Sequence, residues 1–319
     1  MAQTFELNSV NFIRTLGKGA FGRVRLAIVK QTGEYVAVKC LKKSHLIRTK
    51  QVDHVSSEYQ ILKLTRHPLL VNLIGFTQDS SYLYFALEFV PGGDLFTFLR
   101  RLGKFENAQA KIYASQIALM FEYLHSFDII YRDLKPENLL IGADGYLKLT
   151  DFGFAKFVTD RTYTLCGTPE YIAPEILLNK GHGKPVDWWT LGVIIYEMIA
   201  GIDPFTDEDP MMIYRKILKC KFSFTRNFDR GAKSLVKRLL VVDLSKRYGN
   251  LRKGVGDIKQ HSWFKEINWI QMVLKQAKMP YVPALRDSGD CSHFMVYPES
   301  LTSNSFVSEN MDPFIQWNN

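Results

Sequence analysis

The chain has 319 residues, of which 46% are hydrophobic, and its formal charge is +9 at pH 7. This length allows a substantial core in one or two domains. The sequence contains no apolar run of about 18 residues, the length that would predict a membrane span. Four scattered cysteines exclude a disulfide framework and favour a reducing cytoplasmic or nuclear compartment, while scattered basic residues favour a solvated surface over nucleic-acid binding.

The first ninety residues predict β-strands with one helix. Strand-like runs, rich in β-branched and aromatic residues, occupy positions 12–16, 23–29, 35–39, 70–73 and 83–87. Apolar residues at helical spacing predict a helix over 52–64, with a candidate cap at Asp53. A sheet-rich region is therefore expected before Pro91-Gly92-Gly93.

Beyond these breaker residues the sequence predicts a mainly helical region. Helices are expected over 108–126, 187–201 and 231–240. The second of these is so apolar that it should be buried, with Asp187 at its start and Gly201 at its end. From about residue 268 onward, repeated Pro and Ser predict irregular structure.

Several chemically active side chains lie close together in the sequence between positions 131 and 153. Asp133 is a candidate proton acceptor, and Asn138 and Asp151 are candidate metal ligands. The apolar runs 139–141 and 146–149 between them predict a hairpin, which would bring Asn138 and Asp151 to one end. An isolated Asp-Phe-Gly is usually a turn, but the whole array favours a catalytic site with a divalent cation.

A glycine-rich motif, Gly17-x-Gly19-x-x-Gly22 followed by Val24, lies between the first two predicted strands. The same spacing marks dinucleotide-binding folds, where the third glycine begins a helix. Here the residues from Arg23 onward predict a strand instead. The motif therefore favours a glycine loop whose amides lie over phosphates.

Lys39 ends the strand-like run 36–39, seventeen residues after Gly22. An ammonium group on a rigid strand can hold the phosphates of a nucleotide, and Glu58 on the predicted helix is its natural partner. The alternatives are a surface lysine and a solvated glutamate on a helix face.

Taken in order, these motifs and Ala173-Pro174-Glu175 resemble those of eukaryotic protein kinases over residues 12–264. Tyr131-Arg132-Asp133, the segment 162–170 and Val186-Asp187-Trp188-Trp189 resemble the AGC group of that family. Within the group, the sequence is most similar to catalytic subunits of cyclic-AMP-dependent protein kinase (protein kinase A).

The resemblance implies an α+β, bilobal protein-kinase fold. An extension (1–11) would precede a kinase domain (12–266), with a small lobe of antiparallel sheet plus one helix (12–89) and a mainly helical large lobe (90–266). A C-terminal tail (267–319) would wrap the small lobe.

The resemblance also assigns catalytic roles. Asp133 would accept or orient the proton of the attacking hydroxyl, Lys135 would steady the transferring phosphoryl group, and Lys39 paired with Glu58 would hold the nucleotide phosphates. Asn138 and Asp151 would bind Mg²⁺, with two ions expected. ATP contacts are assigned to Leu16, Gly17, Gly19, Phe21, Gly22, Val24, Ala37, Lys39, Leu87, Glu88, Val90, Leu140, Thr150 and Phe294.

An activation-segment phosphate and an acidic substrate site follow from the same resemblance. Thr164 would be phosphorylated, and His54, Arg132 and Lys156 would receive the phosphate. Asp94, Glu137, Glu170 and Glu197 would hold arginines two and three residues before the target Ser or Thr. Leu165, Pro169 and Ile172 would form an apolar shelf for the residue after the target.

The tail resembles that of the AGC group but departs from it at several positions. Phe314 and Trp317 match an aromatic motif that docks on the small lobe, and Asn318-Asn319 follow it without a phosphate acceptor. Ser305 matches a tail phosphorylation site but lacks the upstream arginine, so an unmodified loop serine is the alternative. Met295 and Val296 replace two acidic residues of the family.

The sequence thus predicts an ATP-dependent serine/threonine protein kinase acting on basic peptides. A separate regulatory subunit or pseudosubstrate inhibitor is expected to control it, although Tyr163 replaces a tryptophan that helps dock that partner in the family. The alternatives are another AGC kinase under different control and an ATP-binding pseudokinase scaffold.

Overall fold

The computed structural model describes residues 3–299 and 306–318, and two compact units divide the chain. The first unit comprises the residues up to His67, Val71–Gly93 and the stretch from Pro283 onward. The second comprises Pro68–Leu70 and Asp94–Val282. Ser305 lies outside the described residues.

The first unit is a six-stranded sheet with two helices. Five strands are antiparallel in the order β5-β6-β4-β3-β2, and the short β1 lies parallel to β5 at the edge. The elements are β1 (Gln3–Thr4), β2 (Val10–Lys18), β3 (Gly22–Val29), β4 (Tyr35–Lys42), α1 (Lys43–Arg48), α2 (Val52–Leu64), β5 (Leu73–Gln78) and β6 (Tyr82–Glu88).

Alternating residues of the central strands form the core of this sheet. Ala27, Val36, Val38 and Ala86 are at most 2% exposed and pack together with Val10. Since side chains of a strand alternate between its two faces, the β-branched residues that favour the strands also fill the core.

Two details of the predicted small lobe were wrong. The apolar run 70–73 is not a strand, because Leu69 and Leu70 are buried side chains in a loop and β5 begins only at Leu73. The residue at the N-cap of α2 is Gln51, whereas Asp53 lies in the first turn, where a carboxylate still favours the helix dipole.

The second unit is mainly helical and is built around α6. Every residue of Val186–Ile199 is buried, and α6 packs against α4 and α8. The helices are α3 (Leu95–Leu102), α4 (Asn107–Ser126), α5 (Pro174–Leu177), α6 (Pro185–Ala200), α7 (Pro210–Leu218), α8 (Arg230–Leu239), α9 (Gly256–Lys259) and α10 (Trp269–Val273); the strands are β7 (Ile129–Ile130), β8 (Leu139–Ile141), β9 (Leu147–Leu149) and β10 (Lys156–Phe157).

The structure confirms the three long helices predicted in this region and adds others. The apolar helix begins at Pro185, two residues before Asp187, and Gly201 ends it with a positive φ of 84°. The helices α3 and α7 were missed, although Asp94 and Asp209 cap them by accepting hydrogen bonds from backbone amides. α10 lies in the region expected to be irregular.

The C-terminal stretch expected as one tail is divided between the two units. Residues 267–282 pack within the second unit, where Tyr281 stacks on Phe98 at 4.1 Å and the Tyr146 hydroxyl donates to the Ala277 carbonyl. The stretch from Pro283 onward belongs to the first unit. The sheet-based unit and the helical unit confirm the predicted α+β fold class.

None of the helices in the described parts of the chain combines the length and apolarity needed to cross a membrane.

Candidate active site

Lys39 and Glu58 form a close ion pair within the first unit. Lys39 lies on β4 and Glu58 on α2, and the Lys39 Nζ is 2.6 Å from the Glu58 Oε1. The Glu58 side chain is 3% exposed and that of Lys39 is 18% exposed. Partial burial strengthens the pair and fixes the ammonium group at one position on the strand.

The glycine motif forms the tight connection between β2 and β3. The Gly19 amide donates to the Gly22 carbonyl at 2.9 Å. A Cβ at Gly22 would collide with the backbone carbonyl of Cys40, so the close approach of β3 to β4 requires glycine there. The strand that begins at Gly22 confirms that a strand, rather than a helix, follows the third glycine.

The other residues assigned to ATP in the first unit lie around the same sheet. Leu16, Ala37, Leu87 and Val90 are buried. Val24, Glu88 and Phe294 are half-buried, and the Phe294 ring centroid lies 6.0 Å from that of Phe89. Phe21 and Gly17 lie in or beside the glycine loop.

Asp133 is the centre of a hydrogen-bonded cluster within the second unit. Its Oδ2 is 3.0 Å from the Lys135 Nζ and accepts a hydrogen bond from the Asn138 amide, also at 3.0 Å. Its Oδ1 accepts from the Thr168 hydroxyl at 3.3 Å, and Thr168 in turn accepts from Lys135 at 3.1 Å. The carboxylate is therefore oriented from two sides, as a general base requires.

Burial raises the pKa of the Asp133 carboxyl, and the neighbouring Asp151 charge adds to this effect. The Lys135 ammonium and the Asn138 amide oppose the shift by stabilising the ionised form. Two neighbours, Arg132 and Asp151, have positive φ values of 69° and 56°. Such backbone strain is concentrated at functional sites.

Asp187 holds the backbone at Tyr131-Arg132, directly before Asp133, in place. It is fully buried and accepts hydrogen bonds from the amides of Tyr131 at 3.0 Å and Arg132 at 2.9 Å. Its Oδ2 also lies 2.7 Å from the His125 Nε2. The sequence placed Asp187 at a helix start and in the motif Val186-Asp187-Trp188-Trp189. It did not predict these contacts, because the partners lie more than fifty positions earlier.

The predicted hairpin positions the candidate metal ligands. β8 and β9 pair antiparallel with Leu139 opposite Leu149, and the Thr150 amide donates to the Asn138 carbonyl at 3.0 Å. Asp151 follows immediately and is exposed, and Leu140 and Thr150 are half-buried. The strand pairing thus confirms the hairpin proposed from the sequence.

The donor set of Asn138 and Asp151 is suitable for Mg²⁺. Both side chains offer hard oxygen ligands. The Asn138 Nδ2 donates hydrogen bonds to the backbone carbonyl and the carboxylate of Asp133, and these bonds orient the amide. Within residues 3–299 and 306–318, no cluster of three His, Cys, Asp or Glu could hold a metal alone. A cation here would need further oxygen ligands, such as those of phosphates.

Thr164 lies exposed in the segment after β10. The Lys156 Nζ donates to the Thr162 hydroxyl at 3.1 Å, rather than to Thr164. Arg132 is 5% exposed, and its Nη1 has no hydrogen-bond partner among the described residues. In the first unit, His54 lies 2.7 Å from the Gln51 amide oxygen.

A protein kinase domain profile matches residues 10–264 of this chain. The chain belongs to the protein kinase family. It is a serine/threonine protein kinase, and the family uses ATP and Mg²⁺. This membership explains why the glycine loop, the Lys39–Glu58 pair and the Asp133 cluster occur in one chain.

Three relatives are catalytic subunits of cyclic-AMP-dependent protein kinases by name. The mouse protein "cAMP-dependent protein kinase catalytic subunit PRKX" is 50% identical over 92% of this chain and 83% of its own length. The Drosophila melanogaster catalytic subunit 3 is 51% identical over 92% of the chain, and the Dictyostelium discoideum catalytic subunit is 49% identical over 97%. The kinase spans only about half of these two relatives, 51% and 48% of their lengths.

Glu197 is the most deeply buried of the acids assigned to substrate binding in the kinase. It accepts a hydrogen bond from the Tyr171 hydroxyl at 2.6 Å and pairs with Arg100 at 3.1 Å. Burial nevertheless raises the pKa of its carboxyl to about 7. Asp203, which sequence reasoning missed, is a further negative charge close enough to contribute to this shift.

The other residues assigned to substrate binding occupy different environments. The Asp94 carboxylate accepts hydrogen bonds from the Thr97 amide at 2.7 Å and from the Thr97 hydroxyl at 3.0 Å, and so caps α3. Glu137 is exposed and Glu170 is half-buried. In the apolar set, Leu165 is 68% exposed, Ile172 is 6% exposed and Pro169 is half-buried.

Glu175, in the kinase motif Ala173-Pro174-Glu175, forms a two-pronged ion pair with Arg247. The two guanidinium nitrogens donate to the two carboxylate oxygens at 2.6 and 2.9 Å. Arg247 is completely buried and its Nη1 also donates to the Pro185 carbonyl at 3.0 Å. The pair joins the segment after Thr164 to the start of α6.

Proposed function

We propose that this kinase transfers the γ-phosphate of ATP to Ser or Thr in peptides with arginine two and three residues before the target. The orientation of Asp133 by Lys135, Asn138 and Thr168 is the observation that carries the proposal. A buried carboxylate held in this way can accept or orient the proton of an attacking hydroxyl.

Each part of the machinery has a separate role in this proposal. Lys39, fixed by Glu58, holds nucleotide phosphates, and Lys135 stabilises charge on the transferring group. Asn138 and Asp151 bind Mg²⁺, which supplies positive charge to the phosphate oxygens, and two ions are proposed. The reaction then depends mainly on positioning and charge, since little covalent work remains for the protein.

The acidic residues support selection of basic peptides. Among residues 3–299 and 306–318, Glu197 pairs with one cation, the half-exposed Arg100, while nearby Asp203 adds another negative charge. An arginine of the substrate would relieve this excess of negative charge. Asp94, Glu137 and Glu170 are proposed to contribute at neighbouring subsites.

A separate regulatory subunit or pseudosubstrate inhibitor is proposed to hold the kinase inactive. Tyr163 and Leu165, beside the proposed phosphorylation site, are 61% and 68% exposed, which leaves an apolar surface open to a partner. The relatives' names connect their own activity with cyclic AMP. Purification of the kinase with its native partner, followed by addition of cyclic nucleotides, tests whether such a ligand releases activity.

The role of Asp133 is tested by Asp133→Asn. Asparagine has nearly the same shape as aspartate, but it cannot accept the proton of the attacking hydroxyl as a carboxylate does. The kcat is therefore expected to fall by at least about a hundredfold. The Kd for ATP should stay nearly unchanged. The measurements are transfer of radiolabelled phosphate to an Arg-Arg-x-Ser peptide and a nucleotide titration.

The matched control is Asp243→Asn, which removes an exposed carboxylate outside the site. Undiminished turnover in Asp133→Asn would overturn the role of Asp133. A wild-type protein that binds ATP but phosphorylates no peptide would instead support the scaffold alternative. A preference for acidic or proline-flanked peptides would support another AGC kinase specificity.

A further inference from the structure

A strongly basic surface lies on the outer side of α8 and on the segment that precedes it. Between positions 219 and 238 the chain has seven basic residues and one acidic residue, Asp229, so this segment carries +6 of the formal charge of +9. All seven basic residues are exposed. We call them the basic surface, and they are Lys219, Lys221, Arg226, Arg230, Lys233, Lys237 and Arg238.

The residue pattern of α8 directs its basic side chains towards solvent. The apolar side chains of this helix are buried, and the helix packs against α6. Positions three, four and seven apart share one face of a helix, so Arg230, Lys233 and Lys237 lie together on the opposite face. The helix thus presents a row of positive charges.

The segment before α8 lies alongside the helix. The Cys220 thiol donates to the Leu240 carbonyl at 3.1 Å, directly after the end of α8. The Lys233 Nζ lies 5.0 Å and the Lys237 Nζ 6.0 Å from the centroid of the Phe224 ring. The fold therefore gathers basic residues that are dispersed along the sequence into one surface.

Carboxylates do not neutralise the basic surface in the part of the chain that the structure describes. None of its seven side chains forms an ion pair there, and the neighbouring pairs, made by Lys216 and Lys246, lie outside the segment. Asp229 accepts a hydrogen bond from the Ala232 amide at 2.9 Å and caps α8. The positive charge is therefore open to an anionic partner.

The aromatic rings of this segment pack on one another rather than form a platform for nucleic-acid bases. A single-stranded nucleic acid is bound by stacking its bases on free aromatic faces. Here the Phe224 ring packs against Phe228 and Phe222, with centroids 4.8 and 5.3 Å apart, and it also faces Lys233 and Lys237. These contacts favour a different anionic partner.

Apolar side chains beside the basic surface are suited to a lipid bilayer. Leu218 and Val242 are 37% and 38% exposed. They lie two residues from Cys220 and Leu240, whose contact joins the segment to the end of α8. The interfacial region of a membrane accommodates apolar side chains beside lysine and arginine, whereas a nucleic acid has no apolar layer to receive them.

We propose that the basic surface binds the anionic face of a lipid bilayer that contains phosphatidylserine. A group of about four to eight basic residues on an amphipathic helix binds such membranes, and each residue contributes roughly fivefold in affinity. None of the seven residues is assigned to ATP, metal or peptide binding. The inference therefore goes beyond the proposed function and does not depend on it.

The test compares the wild type with the triple variant Lys221→Gln, Lys233→Gln and Lys237→Gln in vesicle co-sedimentation. Glutamine is nearly as good a helix former as lysine and has no charge. The vesicles are phosphatidylcholine with about 30% phosphatidylserine, at about 0.1 M NaCl. The Kd for these vesicles is expected to rise about a hundredfold, because three basic residues are lost.

The matched control is the triple variant Lys50→Gln, Lys104→Gln and Lys278→Gln. It removes the same charge from exposed positions outside the basic surface. Its Kd for the vesicles should stay within about threefold of the wild type, since charges far from the membrane are screened. Both triple variants should keep the wild-type Tm and the wild-type turnover of a soluble peptide, which shows that they fold.

The outcomes separate this proposal from net charge, from nucleic-acid binding and from the proposed function. Equal loss of vesicle binding in both triple variants would overturn it, as would a wild type that binds pure phosphatidylcholine equally well or binds neither vesicle. Duplex DNA binding, measured by anisotropy, that depends on the basic surface while vesicle binding does not would assign the surface to nucleic acid and also overturn it. A wild type that phosphorylates no peptide would refute the proposed function and leave the vesicle result unchanged.

Discussion

At the scale of single residues, Glu197 shows how burial changes the chemistry of a carboxylate. The side chain is 1% exposed, and one hydroxyl and one guanidinium group are its hydrogen-bond donors. Burial outweighs both partners and raises its pKa from 4.5 to about 7. The folded protein therefore binds the Glu197 proton more tightly than the unfolded chain does.

This tighter binding predicts a pH-dependent stability difference between the wild type and Glu197→Gln. The stabilisation from the bound proton is complete below the unfolded pKa and is lost as the pH rises through about 7. The unfolding free energy of the wild type, relative to the variant, should fall by about 2 kcal/mol between about pH 5.5 and 7.5.

Urea titrations of both proteins across this pH range measure that difference. A difference that does not change with pH would mean that Arg100 keeps Glu197 ionised throughout, with an ordinary pKa.

At the scale of elements, the segment after β10, as far as the structure describes it, offers no hydrogen-bond acceptor to one nitrogen of the Arg132 guanidinium. The Arg132 Nη1 is buried and unpartnered among the described residues, and burial lowers the pKa of this guanidinium. A phosphate on Thr164 would supply acceptors for Arg132 and Lys156 and would order the segment. Glu175 and Arg247 already fix its far end.

Thr164→Ala is therefore expected to lower kcat/KM on the order of tenfold to a hundredfold, because the segment that presents the substrate is less well positioned. The measurement compares steady-state kinetics with the phosphorylation state found by mass spectrometry. Thr225→Ala, at another exposed threonine, is the control. Full activity in wild-type protein that carries no phosphate at Thr164 would refute the role of this residue.

At the scale of the whole molecule, the net charge and the proposed substrate have the same sign. A chain with a formal net charge of +9 repels basic peptides at long range. The attraction of such a peptide must therefore come from the acidic side chains around Glu197. Salt screens both effects, and its net effect on peptide binding shows which one is larger.

The KM for an Arg-Arg-x-Ser peptide should rise about threefold or more between about 0.05 and 0.5 M NaCl, since the local attraction is screened. A peptide with glutamine in place of both arginines is the control and should show little change. A KM that falls with salt would show that repulsion by the whole molecule dominates, and would contradict selection by the acidic residues.

The sequence by itself determined the order of the elements and most of the chemistry. Glycine spacing, two-residue alternation and helical periodicity are local properties, so the glycine loop, the 139–149 hairpin and the long helices could be predicted. The roles of Asp133, Lys39 and Asn138 were proposed from motif spacing and family resemblance, and they remain predictions that the proposed experiments test.

The tertiary structure alone decided which distant side chains meet. Asp187 holds a loop more than fifty positions earlier in the sequence, and Lys43 pairs with Asp312 across 269 positions. Burial, which gives Glu197 its raised pKa, depends on packing from several elements at once. A local pattern contains no information on such contacts, because their energy appears only when the folded chain excludes water from them.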